Sequence, residues 1–466
     1  MTFVPVFSEL PYCDPIELAS QLGNAPKLIF FDSAIFHPER GRYSYLSFAP
    51  VEWYCGRVGE SQQNPFDLPA HKNFPCETLP DLPPFQGGVA GLWSYDLVHT
   101  IEKLPRPKYR DFSTPDWALG IYDWVLSWDH QQKKMWLVST GYPAVTESEQ
   151  QKRAQDRLQY ILEVIAAPPR FESQRSKFVG EFDWGAVPRY PLMGHNNVFS
   201  NFDAFGYQQA VQRAIDYIHA GDCFQVNLSQ RLVSETKQKP FDLYQRLRQV
   251  NPAPFAGFFD MGPTQILSAS PERFLEVRKG HVSTRPIKGT RRKAEDPEED
   301  RRRIHDLLHS PKDRAENVMI VDLLRNDLGK SCRYGTVTVT KLCELETFQF
   351  VHHMVSQVQG TLLPNRSPLS LLRGAFPGGS VTGAPKVRSM EIISELEPTH
   401  RGAYCGSLGY VGFDQSMDTN ILIRTFTQQG AALAFPVGGG IVADSQPAQE
   451  YEETLHKAAG LLRALG

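Results

Sequence analysis

Residues 207–230 decide the class of fold: Tyr207-Gln-Gln-Ala-Val-Gln-Arg-Ala-Ile-Asp-Tyr-Ile-His-Ala-Gly-Asp-Cys-Phe-Gln-Val-Asn-Leu-Ser-Gln230. Tyr207, Val211, Ala214, Ile215 and Ile218 recur at helical spacing, and Gly221 stands where a left-handed cap ends such a helix. Phe224, Val226 and Leu228 then alternate with Gln225, Asn227 and Ser229, so the period drops from 3.6 to 2 and helix gives way to strand. Downstream, Gln265-Ile-Leu-Ser-Ala reads as strand, and helices are expected around 299–309, 313–325, 386–396 and 447–464. These elements do not alternate strictly as βαβ units, which favours an α+β fold over a doubly wound parallel sheet.

Upstream the pattern is mostly sheet. Lys27-Leu-Ile-Phe-Phe-Asp, Tyr43-Ser-Tyr-Leu-Ser-Phe and Ile121-Tyr-Asp-Trp-Val-Leu-Ser-Trp are aromatic and β-branched. The last also reads as sheet and leads through a polar turn at Asp129-His-Gln-Gln-Lys into Met135-Trp-Leu-Val-Ser, the pattern of a hairpin. Residues 147–167 read as helix. Pro168-Pro169, Pro188, Pro191 and Gly194 interrupt any period, so the chain divides into an N-terminal region 1–167, a linker 168–204 and a second region 205–466.

Composition excludes several classes. With 49 Lys+Arg against 52 Asp+Glu over 466 residues there is no basic excess for binding nucleic-acid backbones, so no nucleic-acid partner is expected. Seven scattered cysteines without a C-x-x-C pair suggest reduced thiols rather than a disulfide framework or zinc site. No stretch approaches the ~20 apolar residues of a membrane span, and the N-terminus lacks a signal-peptide pattern. A cytoplasmic protein without a membrane partner is the expectation.

Several segments carry candidate chemistry. In Thr284-Arg-Pro-Ile-Lys288-Gly-Thr290, a proline ends one strand and a glycine frees the backbone, so Lys288 can be aimed into a cleft. In Ser268-Ala-Ser-Pro-Glu272-Arg, Glu272 stands at a strand edge where partial desolvation would raise its pKa for acid–base work. Taken singly, each also reads as a solvated surface charge. Glu316 heads an apolar helical run, and Glu450-Tyr-Glu452-Glu453 lies on the last helix. Two glutamates from such distant helices would make a hard oxygen site suited to Mg²⁺ and a substrate carboxylate.

Phe376-Pro-Gly-Gly-Ser-Val-Thr382-Gly-Ala-Pro-Lys386 and Gly438-Gly439-Gly440 are glycine-rich loops able to cradle a small anion. The first lacks the Gly-Lys-Ser/Thr of a phosphate loop, which argues against nucleotide binding. Arg424 sits in an apolar run, where a bidentate carboxylate ligand would satisfy it, as would a buried Asp418 or Asp322. His353 reads as a hydrogen-bond donor, a proton shuttle or a satisfied core histidine. No G-x-S-x-G or G-x-C-x-G elbow offers an amide-hydrolysing nucleophile.

Together, Gly221-Asp-Cys-Phe-Gln-Val-Asn-Leu-Ser-Gln, Ser270-Pro-Glu-Arg-Phe, Arg285-Pro-Ile-Lys-Gly-Thr, Ala315-Glu-Asn-Val-Met-Ile-Val-Asp-Leu, Val351-His-His-Met-Val-Ser, the 376–386 loop and Gly438-Gly-Gly-Ile-Val-Ala-Asp-Ser resemble the chorismate-utilising enzymes. Phe85-Gln-Gly-Gly-Val-Ala-Gly-Leu extends the resemblance to nearly the full chain. It implies a large two-sheet, β-sandwich-like core flanked by helices. Within the superfamily, Lys288 resembles the aminodeoxychorismate type, since anthranilate synthases have Pro-Ile-Ala-Gly-Thr at this place.

The resemblance implies Lys288 as nucleophile toward C2 of chorismate, Glu272 as general acid and Mg²⁺ at Glu316 and Glu453. It implies Tyr410, Arg424 and Gly438, Gly439 and Gly440 around substrate carboxylates, with Thr382 and His353 near the ring. Ammonia would come from a separate glutamine amidotransferase subunit. Some relatives hold L-tryptophan in the N-terminal sheet region, and Ser33, Arg40, Gly41, Arg42, Tyr43, Pro254, Phe255 and Ala256 match that pocket. A non-catalytic, amino-acid-sensing protein would not need Glu272, Lys288, Glu316 and Glu453 together.

Overall fold

The computed structural model describes residues 3–68, 74, 76–167, 171, 184–347 and 351–466. Of the expected linker, residues 168–170 and 172–183 lie outside the described residues. Two large antiparallel sheets dominate. The first runs in the order Val6–Leu10, Lys134–Ser139, Trp124–Asp129, Tyr43–Ser47, Ile29–Asp32, Phe255–Asp260, Thr264–Ser270, Thr425–Gln429, Ala432–Ile441, Gln225–Glu235, Val198–Ser200 and Tyr190–Pro191. The second runs Ile287–Arg292, Val351–Thr361, His281–Thr284, Arg273–Arg278, Met417–Asn420, Ser407–Gly412, Gly88–Trp93, Trp117–Tyr122 and Glu52–Gly56.

Hydrogen bonding crosses the 168–204 division in both sheets. Phe30 pairs with Phe258 in the first, and Gly91 with Gly409 in the second. Ile29, Phe259 and Ile266 of the first sheet pack with Ala90, Leu92, Leu408 and Tyr410 of the second in one buried layer. Helices cover the outer faces: Pro240–Val250 and Pro447–Leu465 contribute Leu243, Tyr244, Leu247, Ala458 and Leu461 against the first sheet. Pro311–Gly329 and Pro368–Ala375 contribute Ile320, Leu324, Leu371 and Leu372 beneath the second. The architecture is α+β, a two-sheet core flanked by helices, as expected.

The decisive segment folds as its periodicity requires. Helix Ala204–His219 starts on Asp203, whose carboxylate accepts the Gly206 amide at 2.7 Å, and ends with Gly221 at φ +84°. Strand Gln225–Glu235 follows and pairs over ten residues with Ala432–Ile441, which sets Gly438–Gly440 against its start. The expected helices appear as Glu147–Ala166, Pro297–Leu308, Pro311–Gly329, Lys386–Leu396 and Pro447–Leu465.

The stretch Ile121 to Trp128 is sheet, as expected, but divides between the two sheets: it breaks at Asp123, with Trp117–Tyr122 in the second sheet and Trp124–Asp129 in the first. The buried Asp123 carboxylate is held by Arg157 at 3.0 Å and its carbonyl accepts the Thr140 amide at 2.8 Å. These long-range partners make the crossing possible, because a buried polar backbone and charge must be satisfied wherever the chain turns. The hairpin onto Lys134–Ser139 is present, and Asp129 accepts the turn amides of Gln131 and Gln132.

Candidate active site

Lys288 and Glu272 come from adjoining parts of the second sheet. Strand Ile287–Arg292 shifts register against Val351–Thr361 between Lys288 and Thr290, and Gly289 between them takes φ +76°. A Cβ there would stand 2.8 Å from Leu307 Cδ1 and 3.0 Å from Asp313 Cγ, so glycine suits this bulge both by conformation and by space. The bulge re-aims the chain, and Lys288 Nζ donates to the Ser380 carbonyl at 3.3 Å. Ser380 lies in the turn Gly379–Val381 of the glycine-rich loop.

Glu272 is buried, at 6% exposure, and its carbonyl accepts the Ile421 amide at 3.1 Å. Burial pushes its carboxyl up to about 7, against the opposing influence of the Ser380 hydroxyl and the Lys288 charge. Burial pulls the Lys288 ammonium down, opposed by Glu316 and Glu272 and assisted by Lys457. An amine eased toward its neutral form thus faces a carboxyl eased toward its acid form, a polarity suited to nucleophilic attack with general-acid assistance.

Glu316, on helix Pro311–Gly329, is pushed up first by burial, and Glu453 adds to the rise. Glu450 and Glu453 reach the same region from helix Pro447–Leu465. A Cβ on Gly439 would lie 3.2 Å from Glu453 Oε1, 3.4 Å from Glu450 Oε2 and 3.5 Å from Lys457 Nζ. Gly439 therefore leaves open the cradle that a side chain would fill. Glu450 is buried at 4% exposure and pushed up by burial, while Glu452 on the same helix is exposed. Glu450, rather than Glu452, is the neighbour of Glu453 in this cradle.

Oxygen donors at the meeting of two helices fit a hard divalent cation that retains waters. Among the described residues no three such side chains already converge on one point as a ligand set. A divalent cation held in this cradle would bind several-fold more weakly to Gly439→Ala, with the thermal midpoint nearly unchanged; a Mn²⁺ titration of both proteins checks this.

Arg424 adopts φ +52° and is half-buried. Its guanidinium donates to Asn251 Oδ1 at 3.4 Å, and no carboxylate pairs with it among the described residues. Burial pulls its pKa down, so an incoming carboxylate is its natural complement. Neither Asp418 nor Asp322 fills that role: Asp418 pairs with Arg273 at 2.9 Å and Asp322 with Arg325 at 2.7 Å. His353 is buried, its Nδ1 2.8 Å from Thr290 Oγ1. Burial, with the charges of Arg424 and Arg40, pushes it down to about 3, so the ring is neutral and suited to hydrogen bonding rather than to carrying a proton.

Thr382 is buried, with its hydroxyl bonded to the Gly378 carbonyl at 3.1 Å and its own carbonyl accepting the Asn227 amide at 2.8 Å. It holds the loop's shape. Arg401 does the same from below, donating to the Val381 and Asn227 carbonyls at 2.9 and 2.6 Å while paired with Glu397. Tyr410 is not brought to this cluster. Its hydroxyl accepts from Arg278 at 2.9 Å and its ring stacks on Phe85 at 4.3 Å, in the layer between the sheets.

The tryptophan-pocket candidates separate into two groups. Ser33, Tyr43 and Pro254 meet, with the Ser33 hydroxyl donating to the Tyr43 carbonyl at 2.6 Å and lying 3.5 Å from the Pro254 carbonyl. Phe255 lies under Arg273 at 4.9 Å, and Ala256 pairs with Asp32. Arg40 instead pairs with Glu346, which also receives Arg285, and Arg42 pairs with Asp129 at 2.6 Å. Gly41 is wedged against the Ile35 carbonyl.

Sequence reading passed over Lys312, Lys457 and Ser380. Lys312 and Glu316 are spaced i, i+4, and Glu450, Glu453 and Lys457 lie on one helical face at i, i+3, i+7, which was the available signal. Ser380 meets Lys288 through its backbone carbonyl, a contact that no side-chain pattern announces.

The chain belongs to the chorismate binding enzyme family, whose model matches residues 43–463. It is a chorismate-utilising enzyme. It is 42% identical over 396 residues to aminodeoxychorismate synthase component 1 of Klebsiella aerogenes, covering 85% of this chain and 81% of that one. It is 41% identical over 391 residues to anthranilate synthase component 1 of Thermus thermophilus, covering 84% and 80%. The crystal structure of anthranilate synthase component I from Streptococcus pneumoniae TIGR4 superposes with a TM-score of 0.77 at 32% identity, covering 92% of this chain and 94% of that one. Overall identity does not separate the two activities. Among the described residues no helix is long and apolar enough to cross a membrane.

Proposed function

We propose that this chain is the aminating subunit of an aminodeoxychorismate synthase, converting chorismate and ammonia to 4-amino-4-deoxychorismate for 4-aminobenzoate and folate synthesis. The observation that carries the reading is Lys288, half-buried between Glu272 and Glu316, where the resemblance gives anthranilate synthases alanine. Lys288 attacks C2 as the neutral amine; the ring double bonds shift, the C4–O bond breaks, and Glu272 gives its proton to the departing hydroxyl, which leaves as water. Ammonia then bonds to C4, the double bonds shift back, and the positively charged adduct nitrogen takes its electron pair and departs as the neutral Lys288 amine. The ammonium now on C4 returns a proton to Glu272. Chorismate and ammonia thus give product and water, and the enolpyruvyl ether is retained, leaving aromatisation to a separate lyase.

Glu316, Glu453 and Glu450 would hold Mg²⁺, which supplies Lewis-acid polarisation of a substrate carboxylate when bound. Arg424 binds a second carboxylate, and neutral His353 and the loop around Thr382 line the ring. Arg424→Gln should raise KM for chorismate by about 10- to 100-fold with a smaller change in kcat, as loss of a charge-assisted hydrogen bond predicts. Steady-state kinetics with saturating ammonia check this. A glutamine amidotransferase partner supplies the ammonia, and Ser33, Tyr43 and Pro254–Ala256 form the candidate tryptophan pocket.

The deciding test is mass spectrometry of the products formed from chorismate, Mg²⁺ and excess ammonia without added lyase. Aminated product with its enolpyruvyl group intact is expected. Anthranilate with released pyruvate would place the chain with anthranilate synthases, the second reading, to which the 41% identity with the Thermus thermophilus protein lends nearly equal weight.

A further inference from the structure

The carboxylate cradle already contains a cation of the protein's own. Lys457 Nζ lies 2.6 Å from Glu453 Oε1 and donates to the Gly438 carbonyl at 2.9 Å. The first contact is an ordinary i, i+4 helix pair, but the second ties the ammonium across to the glycine strand facing the site. Lys312, by contrast, stands 3.8 Å from Glu450 and makes no such second bond among the described residues. Lys457 is thus the ammonium held at the point where Glu450, Glu453 and the open space beside Gly439 converge.

We propose that Lys457 is the resident counter-ion of this cradle and competes with a divalent cation for Glu453. The ammonium neutralises the carboxylates while the site awaits its ligands, and a dication must displace it and tolerate a retained positive charge nearby. Cation affinity of the substrate-free enzyme is thereby held below what the carboxylates alone would give. Lys457 is a positioning residue in this scheme, acting on Glu453 rather than on the reacting ring. The inference rests on reading the cradle as a cation site.

The test is a Mn²⁺ titration of the full chain without chorismate, following free Mn²⁺ by electron paramagnetic resonance, for wild type, Lys457→Met, Lys457→Arg, Lys312→Met and Glu453→Gln. Lys457→Met should tighten the Mn²⁺ Kd roughly three- to tenfold, the range expected for removing one competing charge from a partly solvated site. Lys457→Arg should remain near wild type and Lys312→Met should change less than Lys457→Met. An unchanged or weakened Kd in Lys457→Met, with wild-type circular dichroism and thermal midpoint, overturns the competition. In that case, wild-type binding that is lost in Glu453→Gln leaves the cradle reading standing. Absence of Mn²⁺ binding in both wild type and Lys457→Met overturns both.

Discussion

Replacing Lys288 by alanine is expected to lower ammonia-dependent amination of chorismate by roughly three orders of magnitude or more, the scale seen when an attacking nucleophile is removed. Lys288→Arg should not rescue it, because a guanidinium stays charged and cannot present a free electron pair. Both variants should still bind chorismate, since Arg424 and the glycine loops are untouched. Intact-protein mass spectrometry supplies the direct readout: wild type incubated with chorismate and no ammonia should gain the mass of chorismate less one water, on a peptide containing Lys288. Full turnover by Lys288→Ala would remove the covalent route, and the 288 position would then mark only the shape of the pocket.

Glu272→Gln is expected to cost about 10²- to 10⁴-fold in kcat, the range for a positioned general acid. Its pH signature is sharper than its magnitude. Glu272 must be protonated when the hydroxyl leaves, and burial holds it up to about 7, so wild-type activity should fall as pH rises through that value. Lys288 must be neutral to attack, so activity should fall again at lower pH as its ammonium refills, giving a bell-shaped profile. In Glu272→Gln the alkaline limb should vanish. A profile unchanged in shape would exclude Glu272 as the acid.

The same residue makes a stability prediction with a definite sign. Its folded pKa lies above the unfolded value of 4.5, so its contribution is complete below about pH 4.5 and is lost as pH rises toward 7. Ionised Glu272 therefore opposes folding at high pH by on the order of 3 kcal/mol. Glu272→Gln should be more heat-stable than wild type at pH 8.5 and show little gain at pH 4.5; thermal unfolding at the two values decides it. A catalytic acid kept protonated by burial is a cost to the fold that the neutral amide does not carry.

The site was legible in sequence where chemistry coincides with a local backbone feature. Lys288 and Glu272 both follow a proline at a strand edge, and Gly289 marks the bulge that turns the lysine toward Ser380. Gly439 is glycine because the cradle needs its missing Cβ. Tyr410 had no such marker: it lies on strand Ser407–Gly412, and the packing of two sheets sends its ring against Phe85 rather than toward Lys288. Arg40 and Arg42 stand two residues apart, yet one reaches Glu346 and the other Asp129, because long charged side chains settle on whichever partner folding brings within reach.

By itself the sequence determined the periods, the caps and the turn chemistry, hence the α+β class, the run of helices from Glu147 onward and the change from helix to strand at Gly221. Tertiary structure alone decided that Asp123 carries the chain from one sheet to the other, that Phe30 pairs with Phe258, and that Glu450 rather than Glu452 joins Glu453. The physical reason is one of range. Periodicity and capping are written in neighbours a few residues apart, whereas strand pairing, burial of a charge and the choice of ion partner are set by groups that become neighbours only when the whole chain has closed on its core.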